Sequence, residues 1–413
     1  MALITGVVGS NNYSTNARYI DGEGRIYFNP KRFDMPLISF LGMNGKKAEI
    51  VGDAFGGAAK GIAGKSLSKR QVENAQFEIF SDTVQDNATA INNAAGYSSN
   101  ATSLVVDDGT MFVANDTLFV PRTGEYMVVS AVSTNTLTVT RAWGSTGVAL
   151  LDNDNVVRVS SAYPVNAVSG TAKSTQVARD YNYTQIFRTP VAIGRTDRDS
   201  RLNYANGSDL ERLKMEAAVE HLRAQERAFW YGRRNEAAAV DSSGARQRTT
   251  GGVFQFVTTN VMDISGAGGT LTQGVMDAFA EQVFQYGSTT KYAFCSPRVL
   301  SKINGLTTNL IRMEAGQDMY GLNLFKYITS HGELMLVRTP HFGDTGFANT
   351  YGGSMVVLDP QQIKYAYLKN AENEFRSDIQ ENDRDGVKAE WLAECGLHLA
   401  NEKAHGILQG VAA

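Results

Sequence analysis

Cysteine is almost missing from this chain: 413 residues hold two, Cys295 and Cys395. They lie too far apart to form a paired-spacing motif, so no disulfide framework or zinc site is indicated, and a reducing compartment fits. A surplus of positive charge is missing as well. Lys and Arg total 39 against 42 Asp and Glu, a net charge of -3, which argues against dedicated gripping of nucleic acid through its phosphates. No apolar run approaches the roughly 18 residues of a membrane span, and the apolar start Met1–Ser10 is short and lacks a basic leader, so the expectation is a soluble, unexported chain. The five histidines, His221, His331, His341, His398 and His405, have no metal-ligand spacing, and neither His-Glu-x-x-His nor Gly-x-Ser-x-Gly occurs. The expectation is therefore no catalytic residue, no metal ligand and no cofactor.

The length suggests two or three folding units. Residues 1–66 contain eleven glycines and several Asn and Ser, with short apolar patches at Ile26–Phe28 and Leu37–Leu41. Such a segment buries too little apolar surface to offset the entropy of ordering it. It is either a flexible tail or an extended arm ordered on other subunits, with Phe28, Phe33, Phe40 and Leu41 as spaced anchors.

Residues 75–82 and Asn182–Phe187 read as strands. Between them, short β-type runs at Leu104–Val106, Leu118–Val120, Tyr126–Val132, Leu137–Thr140 and Val156–Val159 alternate with turns. That spacing points to a small all-β barrel or sandwich, inserted at the tip of a hairpin or standing free between linkers.

Ser208-Asp-Leu-Glu211 is a capping box, which predicts a long helix through Leu210, Leu213, Met215, Val219, Leu222, Phe229 and Trp230. Its other faces carry Arg212, Lys214, Glu216, Glu220, Arg223, Glu226 and Arg227, read as a mixed-sign surface facing solvent or neighbouring subunits. Apolar stripes predict a second helix over 272–285, and Ser296-Pro297 starts a third, alternating with strands at Tyr292–Phe294, Leu334–Val337 and Met355–Leu358. That is an α+β arrangement. Near the end, Val387, Ala389, Trp391, Ala393, Cys395, Leu397 and Leu399 alternate with a second series, which predicts a long strand with one buried face and a core role for Cys395.

Two motifs invite an enzymatic reading. Ala59-Lys-Gly-Ile-Ala-Gly-Lys-Ser66 fits a relaxed phosphate loop, and Met355-Val-Val-Leu-Asp359 resembles an acidic strand for magnesium. A phosphate loop must join a buried strand directly to a helix N-terminus, and no strand leads into Ala59. Asp359 precedes Pro360 and reads as the end of a strand at a turn. Residues 372–385 hold six acids against two arginines but lack EF-hand spacing, so they read as a solvated loop.

Particular strings carry a resemblance. Tyr183-Thr-Gln-Ile-Phe187, Thr249-Thr-Gly-Gly-Val253 followed by Thr259-Asn260, Asn401-Glu-Lys-Ala-His-Gly406, and, in the insertion, Thr123-Gly-Glu-Tyr and Leu137-Thr-Val-Thr-Arg141 resemble the major capsid proteins of tailed bacteriophages. The resemblance runs from about Phe77 to the end and departs at Ile79, where the family has an aromatic residue. It implies the Hong Kong 97-type capsid fold with a β-rich insertion domain in the extended loop. On this chain it implies an N-terminal arm over 1–66 and an extended loop over 67–200 with an inserted β domain at 100–162. It further implies a peripheral domain from 201–264 and 356–413 with a spine helix at 208–231, and an axial domain over 265–355. The implied function is a structural subunit that forms hexamers and pentamers of an icosahedral shell around double-stranded DNA, held non-specifically, with a portal protein at one vertex. Scaffolding and decoration proteins are further implied partners, the virion capsid is the implied location, and assembly falls in the host cytoplasm. Near-neutral charge suits a wall past which a genome must slide. The alternatives are an encapsulin-like compartment shell, an NTPase using the phosphate-loop lookalike, and a tail-tube or decoration protein.

Overall fold

The computed structural model describes residues 35–41, 69–82, 86–170, 172–199, 209–238, 244–307, 314–319, 322–343 and 346–412. The phosphate-loop lookalike 59–66, the capping Ser208, and Phe28 and Phe33 lie outside them. The described residues mix helices with strands and fall into two compact units, one from 1–79 and 180–413, the other from 80–179.

The first unit is organised by the strand Gly386–Leu399. Its alternation buries Ala389, Trp391, Ala393, Cys395, Leu397 and Leu399 on one face. It pairs antiparallel with Gln185–Gly194 on one side, from Gln185 opposite Cys395 to Gly194 opposite Gly386, and with Ile363–Leu368 on the other. Lys69–Val72 extends the sheet by running parallel to Ile363–Leu368. The helix Asp209–Tyr231 lies on this sheet, and the indole Nε1 of Trp391 donates to the Lys214 carbonyl at 3.1 Å. Beyond Cys395 the strand is buried on both faces, where His398 stacks on Phe77 with ring centroids 6.3 Å apart. Ile79 is buried beside Phe77, Val72 and Ala366, so an aliphatic side chain fills the place where the resemblance implies an aromatic one.

This unit also holds a seven-stranded sheet, in the order Val261–Asp263, Gly406–Gln409, Met355–Leu358, Thr290–Cys295, Glu333–Arg338, Leu322–Ile328, Glu314–Met319. The helix Gln273–Val283 starts at Thr272, whose hydroxyl accepts from the Val275 amide at 3.3 Å and so satisfies an orphan donor of the first turn. Pro297–Thr307 starts in the same way on Ser296, which accepts from Val299 at 3.2 Å. Met276, Phe279, Val283, Val299 and Ile303 pack these helices into one apolar cluster with the sheet. The sheet draws strands both from 265–355 and from the flanking chain at 261–263, 356–358 and 406–409.

The second unit is a six-stranded antiparallel sheet in the order Ala88–Ala90, Asn155–Ser161, Asp116–Val120, Glu125–Ser133, Thr136–Thr140, Ser103–Val105. Its inner face is a closed apolar cluster that includes Leu104, Leu118, Met127, Val129, Leu137, Val139 and Val156. Its first strand precedes the β-type runs visible in the sequence.

Two expectations are corrected. Phe40 and Leu41 are not anchors on other subunits: Pro36–Phe40 is a short helix, and Leu37, Ile38, Phe40 and Leu41 are buried in the chain's own core. Phe40 packs 4.5 Å from Tyr292 and 5.5 Å from Phe294 between ring centroids. Glu226 is not on a solvated face either. It is fully buried, its Oε1 accepts from the Leu37 amide at 2.9 Å and from Trp230 Nε1 at 2.9 Å, and its Oε2 accepts from the Ile38 amide at 2.8 Å. A charged acceptor thus replaces the missing side-chain cap of the short helix, and its negative charge suits the positive end of those amides.

Truncation separates the two parts of the leading segment. Removing residues 1–34 leaves this turn in place. Removing 1–50 takes out four buried side chains, each contributing about 1.5–3 kcal/mol, and strands a buried carboxylate. Denaturant unfolding is expected to show a stable subunit for the shorter deletion and severe loss of stability for the longer one. Trp391→Ala is expected to cost about 3–5 kcal/mol in the same assay through the cavity it opens.

Candidate functional site

The strings that carry the resemblance meet at two polar knots in the first unit. At the first, the buried Asn182 side chain donates to the Leu397 carbonyl at 2.7 Å, the Gly251 carbonyl at 3.1 Å and the Thr250 hydroxyl at 3.2 Å. Its Oδ1 accepts from the Gly251 amide at 2.8 Å. The amide of Leu397 donates to the Thr250 hydroxyl at 3.3 Å. Close backbone approach requires glycine here: a Cβ on Gly252 would stand 2.7 Å from the Trp230 carbonyl oxygen, and one on Gly396 would stand 2.6 Å from that of Tyr183. One asparagine therefore fastens the segment Thr250–Gly251 and the long strand to the strand after the β unit.

The second knot joins Thr259-Asn260 to Asn401–Gly406. The Glu402 carboxylate accepts from the Thr258 amide at 2.6 Å, the Thr259 amide at 2.5 Å and the Thr259 hydroxyl at 2.8 Å. Burial works against the charge of Glu402, but these donors outweigh it and hold its carboxyl below the usual range. Asn260 donates to the carbonyls of Lys403 at 2.7 Å and His405 at 2.9 Å. Alongside, the fully buried Lys291 donates to the carbonyls of Val283 at 2.7 Å, Tyr286 at 2.6 Å and Ala404 at 2.7 Å. Asp359 closes the turn after Met355–Leu358, accepting from the Ser288 amide at 2.8 Å, the Ser288 hydroxyl at 2.9 Å and the Gln361 amide at 2.9 Å. Its carboxylate is engaged in structure, as a strand-ending turn requires.

The strings of the β unit also meet. Glu125 and Arg141 form a buried bidentate pair, with both contacts at 2.6 Å. Burial alone would raise the Glu125 carboxyl, but Arg141 and the amides of Val148 and Ala142 hold it below the ordinary range. After Ser161 the chain of this unit runs to Arg179 almost entirely exposed, with Val165 at 100% and Val168 at 88% of full exposure. Tyr163, Val165, Val168 and Val177 stand exposed there, while the Ala162 amide donates to the Asn115 carbonyl at 2.8 Å and Lys173 donates to the Met111 carbonyl at 2.7 Å and to Asp116 at 3.0 Å.

The remaining titratable residues are dispersed. Cys295 and Cys395 are buried free thiols, and burial raises both, Cys395 to about 12. Among the described residues no three His, Cys, Asp or Glu side chains converge as a metal site, and no helix is long and apolar enough to cross a membrane. The acidic stretch pairs outward: Glu372 with Lys69, Glu374 with Arg376 at 3.4 Å, Asp385 with Arg195 at 3.2 Å. His331 is exposed, whereas His221, His341, His398 and His405 are buried at separate places. Sequence reading did not single out Asn182, Glu226 or Lys291, because each is polar within an ordinary local pattern and its partners lie far along the chain.

Burial lowers His221, His398 and His405 to about 4, with Arg70 and Lys364 adding to the effect at His398. A folded value below the free imidazole value means that the unfolded chain binds more protons between about pH 6.5 and about 4. Stability is therefore present above that window and falls as pH drops through it, by up to about 3 kcal/mol for each histidine. Thermal unfolding of the unassembled subunit at stepped pH is expected to show a falling midpoint across this interval, and a flat midpoint would contradict the neutral burial.

Comparison with known proteins follows the same lines. The chain is 26% identical over 282 residues to the major capsid protein of Pseudomonas phage PaMx41, covering 65% of each chain. It thus spans about two thirds of the length of that curated relative. Distant structural likenesses include Mycobacterium phage Bobi, 9% identical with a TM-score of 0.41 over 85% of this chain and 92% of that one. Another is an encapsulin complex from Synechococcus elongatus, 13% identical with a TM-score of 0.41 over 57% and 78%. The family model described as SU10 major capsid protein matches residues 60–412, which take in every string named above, and the chain belongs to that family.

Proposed function

We propose that this chain is a structural shell subunit with a Hong Kong 97-type fold. It assembles into the hexamers and pentamers of an icosahedral virion capsid that encloses phage double-stranded DNA. The observation that carries this reading is the family match over 60–412, joined to the exposed apolar side chains Tyr163, Val165, Val168 and Val177. Among the described residues, Asn182, Lys291, Asp359 and Glu402 hold segments together, which supports a mechanical role. A portal at one vertex, scaffolding or decoration proteins and assembly in the host cytoplasm belong to the same proposal. The net charge of -3 gives the wall no general attraction for the genome.

Expression of the full chain followed by negative-stain electron microscopy tests the reading. Closed shells or isolated hexamers and pentamers are expected. A chain that stays monomeric under every assembly condition would remove the proposal, and native particles holding an enzyme cargo instead of DNA would replace it with a compartment shell.

A further inference from the structure

The second knot contains a histidine whose two ring nitrogens are both committed to backbone. His405 is fully buried; its Nδ1 accepts from the Asp359 amide at 3.2 Å, and its Nε2 faces the Ala400 carbonyl at 3.2 Å. Only the neutral ring protonated on Nε2 satisfies both. A second proton would have to sit on Nδ1, pointing at an N–H group. Among the described residues the nearby carboxylates are already engaged: Asp359 accepts from Ser288 and Gln361, and Glu402 from Thr258 and Thr259. Lys291, which donates to the carbonyl of Ala404, opposes the added charge.

The consequence reaches the sheet, because the strand Gly406–Gln409 begins at the next residue. It lies between Val261–Asp263 and Met355–Leu358, and the Ile407 amide is held by the Asn260 carbonyl at 2.8 Å. Charging His405 breaks its bond to Asp359 and places a cation beside Lys291, so the turn Glu402–Ala404 must move for the charge to reach water.

We propose that His405 is an acid-operated latch: a proton on Nδ1 releases the turn at 402–404 and the strand Gly406–Gln409 from the seven-stranded sheet. Burial holds the ring down near about 4, while the Ala400 carbonyl, Asp359 and Glu402 ease protonation and Lys291 opposes it.

Hydrogen exchange of the full-length subunit between pH 7 and pH 4, corrected for intrinsic rates, tests this. In the natural chain, amides of 406–409 and 261–263 are expected to exchange about tenfold faster or more at the acid end. In His405→Gln, which keeps an acceptor and a donor but takes no proton, that acceleration should fall to what His221 and His398 alone cause through global opening. Glu402→Gln, which removes a charge that eases protonation, should move its onset to lower pH. Equal acceleration in the His405 variant, an onset moved to higher pH in the Glu402 variant, or no acceleration in the natural chain would each overturn the proposal. If His405→Gln does not fold, the Asp359 amide decides: it must lose protection at the same pH as 406–409, and opening of that strand with Asp359 still protected would refute the latch.

Discussion

The pairing of Gly386–Leu399 with Gln185–Gly194 beneath the helix Asp209–Tyr231 is the constraint on which the first unit depends. A strand of this length cannot shift by one residue without turning Trp391, Ala393, Cys395 and Leu397 away from the core. The register is held from outside the strand as well. Trp391 reaches the helix backbone at Lys214, and Asn182 reaches the carbonyl of Leu397. The helix in turn presents Glu226 to the short turn Pro36–Phe40, which brings a distant part of the chain into the same core.

Buried polar groups do the joining in both units. Asn182, Glu226, Lys291 and the Glu125–Arg141 pair each satisfy several partners, and each would cost heavily if left with partners missing, while the half-buried Glu402 ties Thr258 and Thr259 to the turn after the long strand. This gives a physical reason for the strings that resemble phage capsid proteins. Tyr183–Phe187 and Thr249–Val253 belong to one knot, Thr259-Asn260 and Asn401–Gly406 to another, and the acid of Thr123-Gly-Glu-Tyr binds the arginine that ends Leu137–Arg141. What looks like scattered similarity along the chain is a short set of contacts in space.

Much of the fold was legible because it is written locally. Period-two alternation located the long strand, apolar stripes located the helix over 272–285, Ser296-Pro297 marked the next helix start, and close-spaced β runs marked the small unit. The failures share one cause. Glu226 sits among Arg223, Arg227 and Glu220, so nothing nearby distinguishes it from a surface charge; its partners are about 190 residues earlier. Leu37–Leu41 sits in a glycine-rich stretch whose average composition hides one well-packed turn. The seven-stranded sheet takes Gly406–Gln409 from the far end of the chain, which no local period announces. For the candidate site, the strings were visible but their meeting was not.

The cores of both units close within the chain, yet the stretch from Ala162 to Val177 stays open to solvent with its apolar residues uncovered. Sister molecules would supply the missing cover. Comparing amide exchange of residues 162–177 in the free subunit and in purified particles tests this most directly. Strong protection gained on assembly is the predicted result; exchange as fast in the particle as in the free subunit would contradict it.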